Sequence, residues 1–247
     1  MVEPFFIYAH RGSSLKYPEN TMLAFEKAIL AGANGLELDV QLTLDKKVII
    51  FHDWRLDRIF SKQGKISNYT FEEIKKWDAG IWKGNKFKGL TIPSLEELLA
   101  FASKKKIAIN IELKNFFSGN NGLEQQVIRL IKKYNVTNQT VISTFNPLSL
   151  QLIYELEPTI SLALLYFGQL DSPWEFAKKY NCTSIHPPVT QVTEMMVEKS
   201  KENHLQVIPY HVNSKESIQK MISLGVQGII TSRPRTAASI LKELHEN

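Results

Sequence analysis

At 247 residues, 43% hydrophobic and 22% charged, the chain can bury a sizeable core, as two small domains or as one α/β barrel. Its single cysteine, Cys182, excludes an intrachain disulfide, the first residues lack a signal-peptide pattern, and the longest apolar stretch, about 160–167, is too short for a bilayer, so a cytoplasmic location is expected. The formal charge of +5 favours anionic partners, yet the one tight basic run, Lys104-Lys105-Lys106, closes a predicted helix with no basic and aromatic stripe beside it, which argues against nucleic acid.

In chain order, apolar β-branched runs predict strands at 5–9, 35–42, 48–51, 107–112, 140–143, 161–166, 183–185, 205–209 and 228–231. Amphipathic spacing predicts helices between most of them, at 19–31, 95–103, 123–134, 147–156, 175–180, 193–202 and 215–224. Such alternation signals a parallel sheet. The second and third strands are an exception, because the five residues between them cannot make the crossover that parallel neighbours need. Residues 48–51 therefore return as the antiparallel arm of a hairpin. Eight parallel strands remain, the number that closes a TIM (β/α)8 barrel. With the turn centred between Asp45 and Lys46, opposed residues sum to 91 and His52 stands opposite Asp39. Alternation lapses only over about 54–93, where Trp54, Phe60, Tyr69, Phe71, Trp77, Trp82 and Phe87 lie among glycines and lysines. Too long for an ordinary loop, this segment reads as a small inserted cap with its own aromatic core, overhanging the mouth of a single domain spanning 1–247.

Polar chemistry is set into or just after these apolar runs at His10-Arg11-Gly12, Glu37-Leu38-Asp39, His52-Asp53, Glu112-Leu113-Lys114 and, more weakly, Ser143-Thr144-Phe145-Asn146. Glu37 and Asp39, two apart on one strand, share a face. In a barrel that face is the interior, where paired carboxylates repel unless a cation neutralises them. Glu112 takes the equivalent place on the next barrel strand. Three carboxylates without a cysteine suit one hard divalent cation, Mg²⁺ or Ca²⁺, although a buried ion-pair network with Arg11 and Lys114 would also account for them. His10 and His52 both end apolar runs near the carboxylates, so the pair can share acid and base duties. Arg11 can grip a phosphate through two parallel hydrogen bonds and Lys114 offers a point charge; a salt bridge from Arg11 to Glu37 or Glu19 is compatible with that role. Asn20 and Thr21 can cap the first helix, with Glu19 free for a supporting role. His186 ends the sixth barrel strand and could face the mouth, His211 ends the seventh, and His204 and His245 sit at solvated helix ends. Tyr210 can form a wall for an apolar or glycerol-like group. Two histidines, three acidic ligands and two cations are what cleaving a phosphodiester requires.

The ordered set of motifs resembles the glycerophosphodiester phosphodiesterase family. The matching segments are His10-Arg11-Gly12, Pro18-Glu19-Asn20-Thr21, Glu37-Leu38-Asp39-Val40, His52-Asp53, Ile111-Glu112-Leu113-Lys114 and Gly228-Ile229-Ile230-Thr231. Within the predicted cap, Leu56-Asp57-Arg58, Asp78-Ala79-Gly80 and Ile92-Pro93-Ser94-Leu95-Glu96-Glu97 resemble it too. The resemblance covers nearly the whole chain. It implies a TIM barrel capped between the second strand and its helix, and a divalent ion on Glu37, Asp39 and Glu112. It further implies His10 and His52 as the acid–base pair, Arg11 and Lys114 on the phosphate, and a small anionic glycerophosphodiester as substrate. The chain departs from the family at Tyr210-His211, where Trp-Thr is frequent, and at Gln227 and Ser232, where aspartates are frequent. The catalytic set is untouched by these changes.

Two rivals share parts of this pattern. A lysophospholipase D-type enzyme would use the same centre and need an apolar channel, which the cap aromatics could supply. A non-catalytic phosphate-binding barrel would normally lack a histidine or a ligand, and none is missing. An enolase-like barrel draws its ligands from separate strands, unlike Glu37 and Asp39.

Overall fold

The computed structural model describes residues 5–116 and 121–246, with side chains to residue 244. The order is β1 (Phe6–His10), α1 (Met22–Leu30), β2 (Gly35–Leu42), β3 (Val48–Ile50), α2 (Asp57–Phe60), α3 (Phe71–Ile74), α4 (Leu95–Ala102) and β4 (Ala108–Leu113). It continues with α5 (Leu123–Lys133), β5 (Thr140–Thr144), α6 (Pro147–Leu156), β6 (Ser161–Leu165), α7 (Pro173–Lys179) and β7 (Ser184–His186). Then come α8 (Glu194–Glu202), β8 (Gln206–Val207), α9 (Lys215–Ser223), β9 (Gly228–Thr231) and α10 (Pro234–Glu246). Eight parallel strands lie in the order β8-β7-β6-β5-β4-β2-β1-β9, with β3 attached to β2 alone. The ends meet through Gln227 N–H to Val207 O at 3.2 Å and Ile230 N–H to Pro209 O at 2.9 Å, so the expected TIM barrel is nearly closed. β8 is shorter than its apolar run because Pro209 has no N–H for a ladder.

The two faces of β2 explain the layering. Leu36, Leu38, Val40 and Leu42 point outward into the main core, where Phe25 and Ala28 of α1 and Leu95, Leu98, Leu99 and Ala102 of α4 meet them. Each fully buried leucine stabilises the fold by about 2–3 kcal/mol. Glu37, Asp39 and Gln41 share the opposite face. The floor of the barrel interior is apolar, packed by Tyr8, Val141, Ala163, Ile208 and Ile230. Polar groups gather above it at the carboxyl ends of the strands, where TIM barrels place their chemistry. Among the described residues, no helix is long and apolar enough to cross a membrane.

The hairpin forms as expected, with a different register. Val40, Gln41 and Leu42 pair with Ile50, Ile49 and Val48, so opposed residues sum to 90, not 91. The turn holds three residues: Lys46 N–H bonds Thr43 O at 3.0 Å, Thr43 N–H bonds Lys47 O at 3.0 Å, and Lys46 adopts φ +60°. A type I turn completed by a left-handed residue centres the hairpin on Asp45. Phe51, not His52, therefore stands opposite Asp39, its N–H bonding Asp39 O at 2.9 Å. The ladder stops at Ile50, and His52 reaches the mouth because the chain has left strand geometry.

Between β3 and α4, one-turn helices cover a second core of Ile49, Phe51, Leu56, Ile59, Ile66, Ile74, Ala79 and Ile92. Phe60 and Tyr69 meet Trp77 edge-on at 5.2 and 4.9 Å. Phe87 packs instead on Tyr17, at 6.0 Å. The two ends of this cap lie side by side: Ile49 bridges Ser94, and Ile50 N–H bonds Pro93 O at 3.0 Å.

Candidate active site

Register assembles the centre. β1 sets His10 beside Glu37, and β4 sets Glu112 beside Asp39. Glu37, Asp39 and Glu112 each offer an oxygen within 4.8 Å of the others. The chain must turn sharply after His10, and Gly12, at φ +81°, is packed so closely that a Cβ would lie 2.6 Å from the carbonyl carbon of Ala24. Only glycine accepts both conditions.

The carboxylates are almost fully buried, Glu37 at 3% and Asp39 at 0% exposure. Arg11 donates its backbone N–H to Glu37 Oε2 at 2.9 Å and sets Nε 3.2 Å from Asp39 Oδ2. Lys114 Nζ lies 2.7 Å from Glu112 Oε1 and 3.8 Å from Asp39 Oδ1. Asn20, expected as a helix cap, donates Nδ2 to Asp39 Oδ2 at 2.9 Å, while Thr21 alone caps α1 through Ala24 N–H. Burial opposes the Asp39 charge, but Arg11, His52, Lys114 and the Asn20 bond overcome it and hold the carboxyl below its usual range. Burial, reinforced by Asp39 and Glu112, pushes Glu37 well up, and burial and Asp39 raise Glu112. With all three carboxylates ionised, two cations do not balance them. Asp39 Oδ1 has no hydrogen-bond partner. An all-oxygen donor set with an unmatched negative charge and a free buried oxygen fits a hard divalent cation.

Both histidines line one cavity of about 100 Å³ with Arg11, Glu37, Glu112, Lys114 and Tyr210. His10 Nδ1 lies 3.2 Å from Ser232 Oγ, and its ring sits 3.9 Å from that of His211. Burial, Arg11 and His211 together push His10 well below the ordinary imidazole range, and Asp39 offsets them only in part. Burial, with Arg11 and His52, lowers His211 to about 4. His52 differs: its Nδ1 lies 2.7 Å from Asp53 Oδ1. An ionised carboxylate only accepts, so Nδ1 carries the hydrogen and Nε2 is left for a ligand.

Arg58 on α2 ties this arrangement to the cap. It grips Asp53 at 2.6 and 2.9 Å and Glu19 at 2.9 and 2.7 Å. Glu19 Oε1 also holds Arg11 Nη1 at 2.9 Å. The grouping of Glu19, His52 and Asp53 is thus spanned by a guanidinium. Tyr210 gives its hydroxyl hydrogen to Tyr166 O at 2.7 Å and faces Phe145 edge-on at 6.3 Å, while burial and Glu112 raise its phenol to about 12.

One expectation changes. His186 does not face the mouth: it is fully buried below it, its Nε2 3.3 Å from Ser184 Oγ, and burial lowers it to about 3. Ser143 lines the cavity with an unpartnered Oγ, as does Asn110 with its Oδ1. His204 is exposed, and the His245 side chain lies outside the described residues. The sequence reading passed over Arg58, Asn20 and Ser232 as site residues. Each carried a signal: Arg58 and Asn20 lie in segments that match the family, and Ser232 stands where aspartate is frequent. A larger cavity of about 560 Å³ opens at the opposite end of the barrel and contains none of these groups.

The family model of the glycerophosphoryl diester phosphodiesterases matches residues 10–236. A glycerophosphodiester phosphodiesterase of Caldanaerobacter subterraneus subsp. tengcongensis is 39% identical over 237 residues, covering 96% of this chain and 98% of that protein. An Oleispira antarctica phosphodiesterase, solved in complex with the product sn-glycerol-3-phosphate, superimposes with a TM-score of 0.88 at 27% identity, covering 96% of each chain. A structure from Silicibacter pomeroyi, at 22% identity, shares the fold with a TM-score of 0.90 over 99% of this chain and 95% of that one.

Proposed function

The chain belongs to the glycerophosphoryl diester phosphodiesterase family, and on that footing we propose that it hydrolyses glycerophosphodiesters to glycerol 3-phosphate and an alcohol with the help of one divalent cation. The observation that supports this most is the meeting of Glu37, Asp39 and Glu112 under two histidines and two cations.

Glu37, Asp39 and Glu112 would hold the cation, which when bound supplies Lewis-acid neutralisation of the phosphate. Arg11, braced by Glu19 and Asp39, presents its guanidinium to a phosphate oxygen, and Lys114 adds a point charge against the negative charge that develops. His10, held neutral by burial beside Arg11 and His211, takes the proton from the attacking oxygen. His52, with Asp53 fixing its Nδ1–H, gives a proton to the leaving alkoxide from Nε2. Tyr210, anchored on the Tyr166 carbonyl, walls the organic part of the substrate.

The test is a metal-titrated assay of glycerophosphocholine and lysophosphatidylcholine with the native chain, His10→Ala and His52→Ala. Turnover of glycerophosphocholine that needs Mg²⁺ or Ca²⁺ and is lost in both variants, with melting unchanged, is the expected result. Full activity in either variant removes the acid–base assignment, and preference for the lysophospholipid replaces the substrate assignment.

A further inference from the structure

Beside the mouth, a cavity of about 410 Å³ lies between the β1–α1 loop, the end of α1 and the start of α10. Lys16, Lys27, Arg233 and Arg235 line it, and no carboxylate does. Among the described residues, none of these four side chains has an ion-pair or hydrogen-bond partner. Four like charges around one concavity repel, and among the described residues that line it none is acidic.

Two further features point into the same space. α10, 13 residues long, begins at the cavity wall with Pro234, Arg235 and Thr236. The Arg235 and Thr236 N–H groups lack intrahelical acceptors, and the helix dipole favours an anion there. Ser13 lines the wall at only 7% exposure, and its Oγ has no partner.

We propose that this cavity binds a phosphate group, separately from the carboxylate centre. Guanidinium, ammonium, hydroxyl and amide donors converge on it with no competing acid, which suits a tetrahedral dianion. The volume exceeds what phosphate alone fills, and Leu15 and Leu30, 49% and 73% exposed, offer apolar cover for an attached organic part. A free phosphomonoester and a phospholipid headgroup both present this chemistry. Ser232, which lines the cavity, also touches His10, so occupancy reaches the edge of the active site.

The experiment follows backbone amide signals of the ¹⁵N-labelled, metal-loaded chain during titration with inorganic phosphate. A parallel titration uses phosphatidylcholine vesicles containing phosphatidic acid. The comparison is a Lys27→Ala, Arg235→Ala double variant. Ser13 and Thr236 signals should shift saturably with phosphate, with a midpoint raised about tenfold in the variant. If vesicles alone move these signals and the variant loses the response, the phosphate belongs to a lipid headgroup. Signals that ignore both probes, or respond equally in the variant, overturn the proposal. Arg235→Glu, on an exposed side chain, gives the same comparison should the double variant melt early.

Discussion

Replacing Asp53 with asparagine keeps the shape of the side chain and removes its charge from an oxygen 2.7 Å from His52 Nδ1. Opposite unit charges at that separation attract by roughly 6 kcal/mol at an effective dielectric of about 20, and by roughly 1.5 kcal/mol in bulk water. The His52 and Asp53 side chains are 31% and 18% exposed, and Arg58 Nε already sits 2.6 Å from Asp53, so the lower part of that range applies. To donate from Nε2 while Nδ1 keeps its hydrogen, His52 must start as the imidazolium, so a loss of about 2 kcal/mol in the attraction that holds that cation in place lowers kcat about 30-fold with little change in KM. Release of glycerol 3-phosphate from glycerophosphocholine under saturating metal is the assay, with thermal melting in parallel. Arg58 keeps its grip on Glu19 in the variant, so Tm should stay within a few degrees. Combined with His52→Ala, Asp53→Asn should cost nothing further, because the carboxylate acts through that imidazole. A kcat within twofold of native, or losses that multiply in the double variant, would refute the positioning role.

Gly12→Ala would force a Cβ to 2.6 Å from Ala24 at φ +81°, so a loss of about 2–4 kcal/mol and a Tm lower by roughly 5–12 °C should appear by calorimetry. Chelation of divalent ions should abolish turnover and lower Tm, since the folded state then loses a ligand it alone binds and only a proton on Glu37 eases the crowding with Asp39 and Glu112; a melting curve indifferent to EDTA would count against the metal centre. In the chelated protein, Glu37→Gln should melt no lower than native, because burial and its neighbours already drive Glu37 toward the neutral form. Burial depresses His186 from 6.5 to about 3, so the folded state binds fewer protons than the unfolded one between those values. Stability present above pH 6.5 should therefore fall as pH drops toward 3, and His186→Leu should flatten that slope in acid unfolding measured by circular dichroism.

Much of this architecture was legible because strand, helix and spacing each carry a local physical signature. Alternation located every barrel strand, and the five residues between Leu42 and Val48 were enough to remove one arm from the parallel set. Glu37 and Asp39 had to share a face by the two-residue period, and parallel register then brought Glu112 alongside. The hairpin offset was hidden because it depends on Lys46 adopting a left-handed conformation, which lysine does not announce. Arg58 and Glu19, 39 residues apart, meet only through the path of the cap. Asn20 looked like a helix cap because the residue type suits both duties; its partner Asp39 is remote in sequence. His186 shares the inward face of Ser184, but alternation reports a face and not a depth.

The adjoining ends of the cap bear on how such barrels can be re-engineered. Ile49–Ile50 and Pro93–Ser94 form one short seam, so residues 51–93 leave and rejoin the barrel at nearly the same point. A segment with paired ends can be exchanged between scaffolds without disturbing the strands around it. Here the graft would need matched contacts: an incoming cap must bring its own counterparts of His52 and Asp53, a side chain to pack on Tyr17, and an arginine that reaches the Glu19 carried by the recipient. A chimera that keeps that arginine together with the histidine–aspartate pair should exchange substrate preference while retaining turnover; one that lacks only the arginine should fold and stay slow on every substrate.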